Sequence, residues 1–245
     1  MNKVKYIIIS FLTLVSCSDS SDDVALSSIT LESYIKGRTI ETGAVIACAA
    51  SDKDSGEILT FYYPKFGALN VRYYETDKVE LDNNDFSNYT RRLLNSTPFF
   101  NGYLGKFIQE SVNEKWIIIT YELDNEIKMS NPIRTKQISK PTVWNEDVII
   151  DQSQSRMPNF SWQDNAFGDN AIYFQVVSDA QNNLLSGTYT LDNHFQYYDT
   201  SNLVLNITTK TPPNLILNNT YNFTLMDVSI DNWVNGVILK TFKIE

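Results

Sequence analysis

The sequence predicts an all-β protein made of two antiparallel sandwiches in tandem, with a short helix inserted in the first. Three observations carry this. The 245 residues include 14 Tyr and 13 Phe, many of them in alternating runs of the kind that line pleated sheets. Long amphipathic helical periods are scarce. From Pro141 onward, short strand-like runs follow one another, each closed by turn-forming residues, which is the grammar of a sandwich.

In the second half, 141–245, the runs are 142–150, 159–163, 171–177, 184–190, 203–208, 221–229 and 237–244. Turn formers separate them, among them Gly168-Asp169-Asn170 and Thr211-Pro212-Pro213-Asn214, whose side chains or ring constraints favour chain reversal. Leu217-Asn218-Asn219-Thr220-Tyr221-Asn222-Phe223-Thr224-Leu225 resembles the sixth strand of fibronectin type III domains, where a leucine stands four residues before a tyrosine. The resemblance implies that Tyr221 is a corner tyrosine, its ring packed and its hydroxyl bonded back to the backbone. Pro158-Asn159-Phe160-Ser161-Trp162 is similar to that family's second strand, with Trp162 as core tryptophan, and Tyr173-Phe174-Gln175-Val176 resembles its third. In immunoglobulin-like and fibronectin-III-like sandwiches alike, alternate residues of such strands face the core.

The first half, 28–139, shows the same grammar at 44–50, 58–63, 68–74, 105–109, 115–123 and 126–135. The last two runs, joined by Leu123-Asp124-Asn125-Glu126, read as a terminal hairpin. The departure is 85–94. There Phe86, Tyr89, Leu93 and Leu94 fall at spacings of three and four behind Asp85 or Ser87 as a cap, which predicts a short helix. Such an insert would cover a sheet edge or carry a site. A polar link at 137–141 marks the boundary, and two sandwiches joined by so few residues should form a stiff rod.

At the start of the chain, Lys3 and Lys5 precede an uncharged run, 6–15. That run is too short for a bilayer span, which needs about 20 residues, but it fits the apolar core of a signal peptide, 1–16. Leu14-Val15-Ser16-Cys17 resembles the lipobox of bacterial lipoproteins, which implies cleavage after residue 16 and acylation of Cys17, palmitate included. Each buried methylene is worth roughly 0.8 kcal/mol, and more than one acyl chain is needed for a stable anchor. The run 18–23, SDSSDD, is similar to the signal that sends Bacteroidota lipoproteins to the cell surface. The resemblance implies an outer-membrane, lipid-anchored protein facing the cell exterior, with 17–27 as a flexible acidic tether.

The formal charge is −9, and removal of Lys3 and Lys5 with the signal takes it to −11. Such a balance excludes nucleic acid as a partner, since that affinity comes from Lys and Arg neutralising phosphates. With Cys17 acylated, Cys48 is the one remaining thiol. No internal disulfide can form, and its apolar neighbours read as a small core residue rather than a nucleophile. His194 is the only histidine, which excludes metal sites built on several histidines and reads as a surface or turn residue. Asp82-Asn83-Asn84-Asp85 lacks the spacing of a calcium loop and reads as a capping turn.

No nucleophile elbow occurs, and units of about a hundred residues leave little room for the deep cleft that paired carboxylates would need. The expectation is a protein that is not an enzyme and that uses no cofactor or metal. Trp233, in the loop of the last hairpin, and Tyr197 and Tyr198, ahead of the 203 strand, are the candidate ligand-binding rings, suited to a sugar face or a protein hot spot. The expected function is a non-catalytic binding or adhesion module for a protein or glycan; the alternative is a structural spacer in a cell-envelope assembly.

Overall fold

The computed structural model describes residues 29–208 and 210–245. Cys17, the signal and the tether lie outside the described residues. The described residues are nearly all β, in four sheets. Sheet 1 runs in the order Ile40–Val45, Glu126–Ser130, Trp116–Leu123, Leu69–Glu75, Thr90–Arg92, with Ile133–Arg134 also on Trp116–Leu123. Sheet 2 runs Ala47–Ser51, Ile58–Tyr62, Leu104–Gln109, Thr97–Phe99. Sheet 3 runs Val143–Asn145, Val234–Lys243, Thr220–Ser229, Asn170–Asp179, Leu184–Thr190, Leu203–Asn206, and sheet 4 runs Ile149–Asp151, Asn159–Ser161, His194–Gln196.

Side-chain alternation along Ile58–Tyr62 sets the layering. Ile58 and Tyr62 turn toward Tyr73, Ile117 and Ile119 of sheet 1. Leu59 and Phe61 turn the other way, onto Phe174, Val176 and Met226 of sheet 3. Sheet 3 repeats the device: Tyr173, Phe223 and Leu225 leave its opposite face to meet Phe160 and Phe195 of sheet 4. The four sheets therefore stack in the order 1, 2, 3, 4, and sheets 2 and 3 are covered on both faces. Burying each Leu, Val, Met or Phe contributes about 1.5–3 kcal/mol. A layer of such side chains shared by the two halves outweighs any hinge at 137–141. The rod inferred from the short link is corrected accordingly: the halves pack face to face.

Polar contacts fix the register of that packing. Thr142 and Ser51 exchange two bonds, Ser51 N to Thr142 Oγ1 at 2.9 Å and Thr142 N to Ser51 Oγ at 2.8 Å, while Trp144 Nε1 donates to Ser51 O at 3.0 Å. These satisfy buried groups that would otherwise lack partners.

The run expected at 44–50 is two strands, Ile40–Val45 in sheet 1 and Ala47–Ser51 in sheet 2, and 142–150 likewise divides between sheets 3 and 4. In both halves the first of these strands pairs parallel with the closing hairpin, so the sheets are not purely antiparallel. A parallel neighbour needs a long crossover, and here nearly the whole half supplies it.

The helix expected over 85–94 is corrected too. Only Phe86–Asn88 forms a 3-10 turn, with Asp85 accepting from Ser87 N. Thr90–Arg92 then extends and pairs with Tyr73–Glu75. The segment covers the sheet edge as a strand, because ladder bonds satisfy the open edge of Leu69–Glu75 and a helix would not. An unforeseen helix, Leu31–Ile35, lies on the outer face of sheet 1, capped by Thr30, with Leu31 and Tyr34 buried against Tyr74, Ile118 and Met129.

Candidate ligand-binding site

Two of the aromatic residues read as ligand contacts are structural. Trp233 is fully buried and sits in the core of the first half beside Val45, Ala49 and Ile58. Its indole Nε1 donates to Lys140 O at 2.9 Å, and Ala49 N donates to Asn232 O at 3.1 Å. The hairpin tip is thus the plug that joins the halves, and nothing of the ring faces solvent. Tyr197 is also fully buried, its hydroxyl donating to Pro213 O at 2.8 Å. Tyr198 is half-buried, with its hydroxyl donating to Asn214 Oδ1 at 2.9 Å and its backbone at φ 74. That conformation is uncommon for a residue other than glycine. The three do not form a common site.

Other sequence expectations fall where they were placed. Tyr221 Oη accepts from Ile216 N at 2.9 Å, which is the bond back to the backbone expected of a corner tyrosine. Trp162 is buried in the core between sheets 3 and 4, edge-on to Tyr173 with centroids 5.2 Å apart. Cys48 lies on the strand Ala47–Ser51, half-buried, and burial pushes its thiol up to about 12, so it remains protonated at neutral pH. His194 is exposed at the start of its strand.

One concavity with mixed chemistry lies elsewhere, between sheets 3 and 4. A cavity of about 200 Å³ is lined by Asn145 and Asp147, by Trp162, Gln163 and Phe167, and by Tyr173, Asp227 and Gly236 of sheet 3. Phe167 lies so close over Gly236 that a Cβ there would come within 2.2 Å of its ring. Only glycine permits that wall.

Asp227 occupies an inward position on Thr220–Ser229, in step with Tyr221, Phe223 and Leu225, and is 2% exposed. Its Oδ1 accepts from Asn170 Nδ2 at 2.9 Å. Burial, the largest effect, raises its carboxyl above the usual aspartate value, against the opposing influence of Asn170, Asn235 and the Lys140 charge. Trp162 is 6% exposed, and its indole N–H has no hydrogen-bond partner. A buried donor left unmade costs about 1–3 kcal/mol, and the Trp162 N–H carries that cost, whereas Asp227 is paired with Asn170.

No family model and no curated protein matches the chain. Among solved structures, a chain from one described as "Structural basis of neurohormone perception by the receptor tyrosine kinase Torso" is similar over 85% of this chain and 76% of that one, at 17% identity and a TM-score of 0.25. A likeness that distant does not inform function.

Proposed function

We propose that the protein is an outer-membrane lipoprotein, anchored through acylated Cys17 and facing the cell exterior, whose two fibronectin-III-like sandwiches serve as a non-catalytic binding or adhesion module for a glycan or protein. The observation that carries the binding reading is the cavity between sheets 3 and 4. It combines aromatic walls with polar side chains, Asn145, Asp147, Gln163 and Asp227 among them, the usual composition of a small-ligand site. The anchor and its orientation rest on the lipobox and the acidic run behind it.

A structural spacer is the second reading, and the shared core between the halves favours it, since such a body transmits position without bending. Protease shaving of intact cells separates surface from interior. The native protein should be cleaved from the cells, while a variant with Asp19, Asp22 and Asp23 replaced by alanine should be protected. Protection of both would remove the surface-binding reading and leave the spacer.

A further inference from the structure

We propose that a second cavity, of about 270 Å³ between sheets 2 and 3, binds a six-membered ring carrying one carboxylate, with Lys106 as its counter-ion. The assignment rests on the binding-module reading and extends it to a site built by both halves of the chain. Strand register fixes the direction of the lysine. Lys106 stands opposite Phe61 in the antiparallel ladder, and residues directly opposite share a face of the sheet. That face is the one Phe61 turns onto Phe174 and Met226 of sheet 3. From the other side Thr224 looks back, in step with Met226 and opposite Leu239. The Lys106 side chain therefore leaves sheet 2 into the space between the layers. Lys106 and Phe99 are half-buried, while Asn182 and Leu239 are exposed, so the cavity they line is open to solvent.

Two observations distinguish this cavity from a gap in packing. Among the described residues Lys106 forms no ion pair, although it points between apolar layers, where a charge without a partner is costly. Its ammonium lies 5.4 Å from the centre of the Phe99 ring. Asp52 lines the same cavity, but its Oδ1 accepts from Asp54 N at 3.0 Å, Ser55 N at 2.9 Å and Ser55 Oγ at 3.0 Å, so its own turn holds it. The second observation is the wall. Phe100 and Asn101 have φ 47 and 46, a conformation that bulky residues rarely adopt and that costs about 1–3 kcal/mol each. Consecutive residues of an extended strand point to opposite faces. Here the left-handed turn brings the rings of Phe99 and Phe100 to 4.3 Å, and Phe61 lies 5.0 Å from Phe99. The strained backbone thus builds a continuous aromatic wall beside the cation.

These groups select the ligand. A neutral ring would pack on the wall and leave the ammonium unmet, and a cation would be repelled by it. A carboxylate supplies the missing partner through a charge-assisted bond. The ring that carries it packs its face on the aromatic side chains, and the Thr224 hydroxyl donates or accepts as the ring requires. A uronic acid residue of an acidic glycan and a free aromatic acid share this chemistry. The test is a calorimetric titration of the full chain at low salt with the methyl glycoside of glucuronate and with benzoate, against methyl glucopyranoside as the neutral control. At least one carboxylate should bind saturably. Lys106→Met keeps the apolar stem and loses the charge, so affinity should fall about tenfold, equivalent to about 1.4 kcal/mol. Lys106→Arg should bind nearly as tightly as the native chain.

Should Lys106→Met fail to fold, Phe99→Ala at the rim provides the second reading and should also weaken binding. Binding of the glucuronide alone would support the proposal with an acidic glycan as the source, and binding of benzoate alone would support it with a free aromatic acid. The proposal is overturned if neither carboxylate saturates, if the neutral glucoside binds as tightly, or if the Lys106→Met and Phe99→Ala variants bind as well as the native chain. Surface exposure in the shaving experiment with no carboxylate binding would remove this site alone. Protection from shaving would remove the surface reading, and the titration would still report on the cavity.

Discussion

The hydroxyl of Tyr34 donates to Glu122 Oε1 at 2.7 Å, joining the first helix to a strand 88 residues further along the chain. Arg38 Nη1 reaches the same oxygen at 3.0 Å, Asn70 Nδ2 reaches Oε2 at 3.1 Å, and the Arg72 guanidinium lies 3.8 Å from the centre of the Tyr34 ring. These partners, Arg38 first and then Tyr34, hold the Glu122 carboxyl down to about 2. Burial, then the bond to Glu122, pushes the Tyr34 phenol up to about 12. The latch pins the first described segment, directly after the expected tether, against sheet 1.

Glu122 has a folded value below that of the unfolded chain, near 4.3, so its contribution is complete above that pH and is lost as pH falls toward 2. Denaturant unfolding should find Glu122→Gln less stable than the native protein at pH 7, with the gap closing steadily between about pH 5 and pH 2. Tyr34→Phe, which removes a bond to a charged acceptor, should cost about 1.5 kcal/mol at pH 7. A gap that persists unchanged at pH 2 would show that the carboxylate charge is not what holds the helix.

A second ionic contact lies deeper. Lys115 Nζ is 3.0 Å from Glu75 Oε1, with both residues under 10% exposed, and Gln109 Nε2 donates to Glu75 Oε2 at 2.7 Å while Gln109 Oε1 accepts from Tyr73 Oη at 2.8 Å. Removing one partner of a buried pair leaves an uncompensated charge and costs about 3–5 kcal/mol. Lys115→Met should fall at the lower end, near 3 kcal/mol, because the more exposed Arg92 remains 3.3 Å from Glu75. Adding Glu75→Gln removes the stranded charge and keeps an acceptor for Gln109, so the double variant should be more stable than Lys115→Met. Additive losses in the double variant would rule out the stranded charge as the cause.

The β class is legible in the sequence because Tyr-rich and Phe-rich runs with period two can only bury themselves in sheets. Tyr221 and Trp162 are legible through the resemblance of their segments to fibronectin type III strands, not through periodicity. The packing of the halves left a signal that a domain-by-domain reading passes over. Ile58–Tyr62 is buried along its whole length, and Asn170–Asp179 and Thr220–Ser229 along most of theirs. Apolar residues on both parities of a strand mean cover on both faces, hence a neighbour beyond the sandwich itself. Trp233 was misread because a hairpin tip is exposed only if nothing docks there. The division of 40–51 between two sheets at Ile46 is invisible to alternation. Asp227 did leave a trace: it is a carboxylate at the inward position of an otherwise apolar strand, a placement that demands either a partner or a use.

If the halves are one folded body, they should unfold as one. Leu59, Phe61 and Leu104 share a core with Phe174, Met226 and Val228, and Trp233 crosses from the second half into the core of the first. Calorimetry should therefore give a single transition whose calorimetric and van't Hoff enthalpies agree. Trp233→Ala, which empties a fully buried site and removes the bond to Lys140 O, should lower global stability by about 3–5 kcal/mol while preserving the single transition. A polypeptide ending at residue 139, or one beginning at 141, would expose the apolar face of sheet 2 or sheet 3. Each should bind a hydrophobic dye and associate, since contiguous apolar patches of that kind are rare on soluble monomers. Two resolved transitions, or halves that remain monomeric and dye-silent when separated, would show that the shared layer is a contact between independent domains and not a common core.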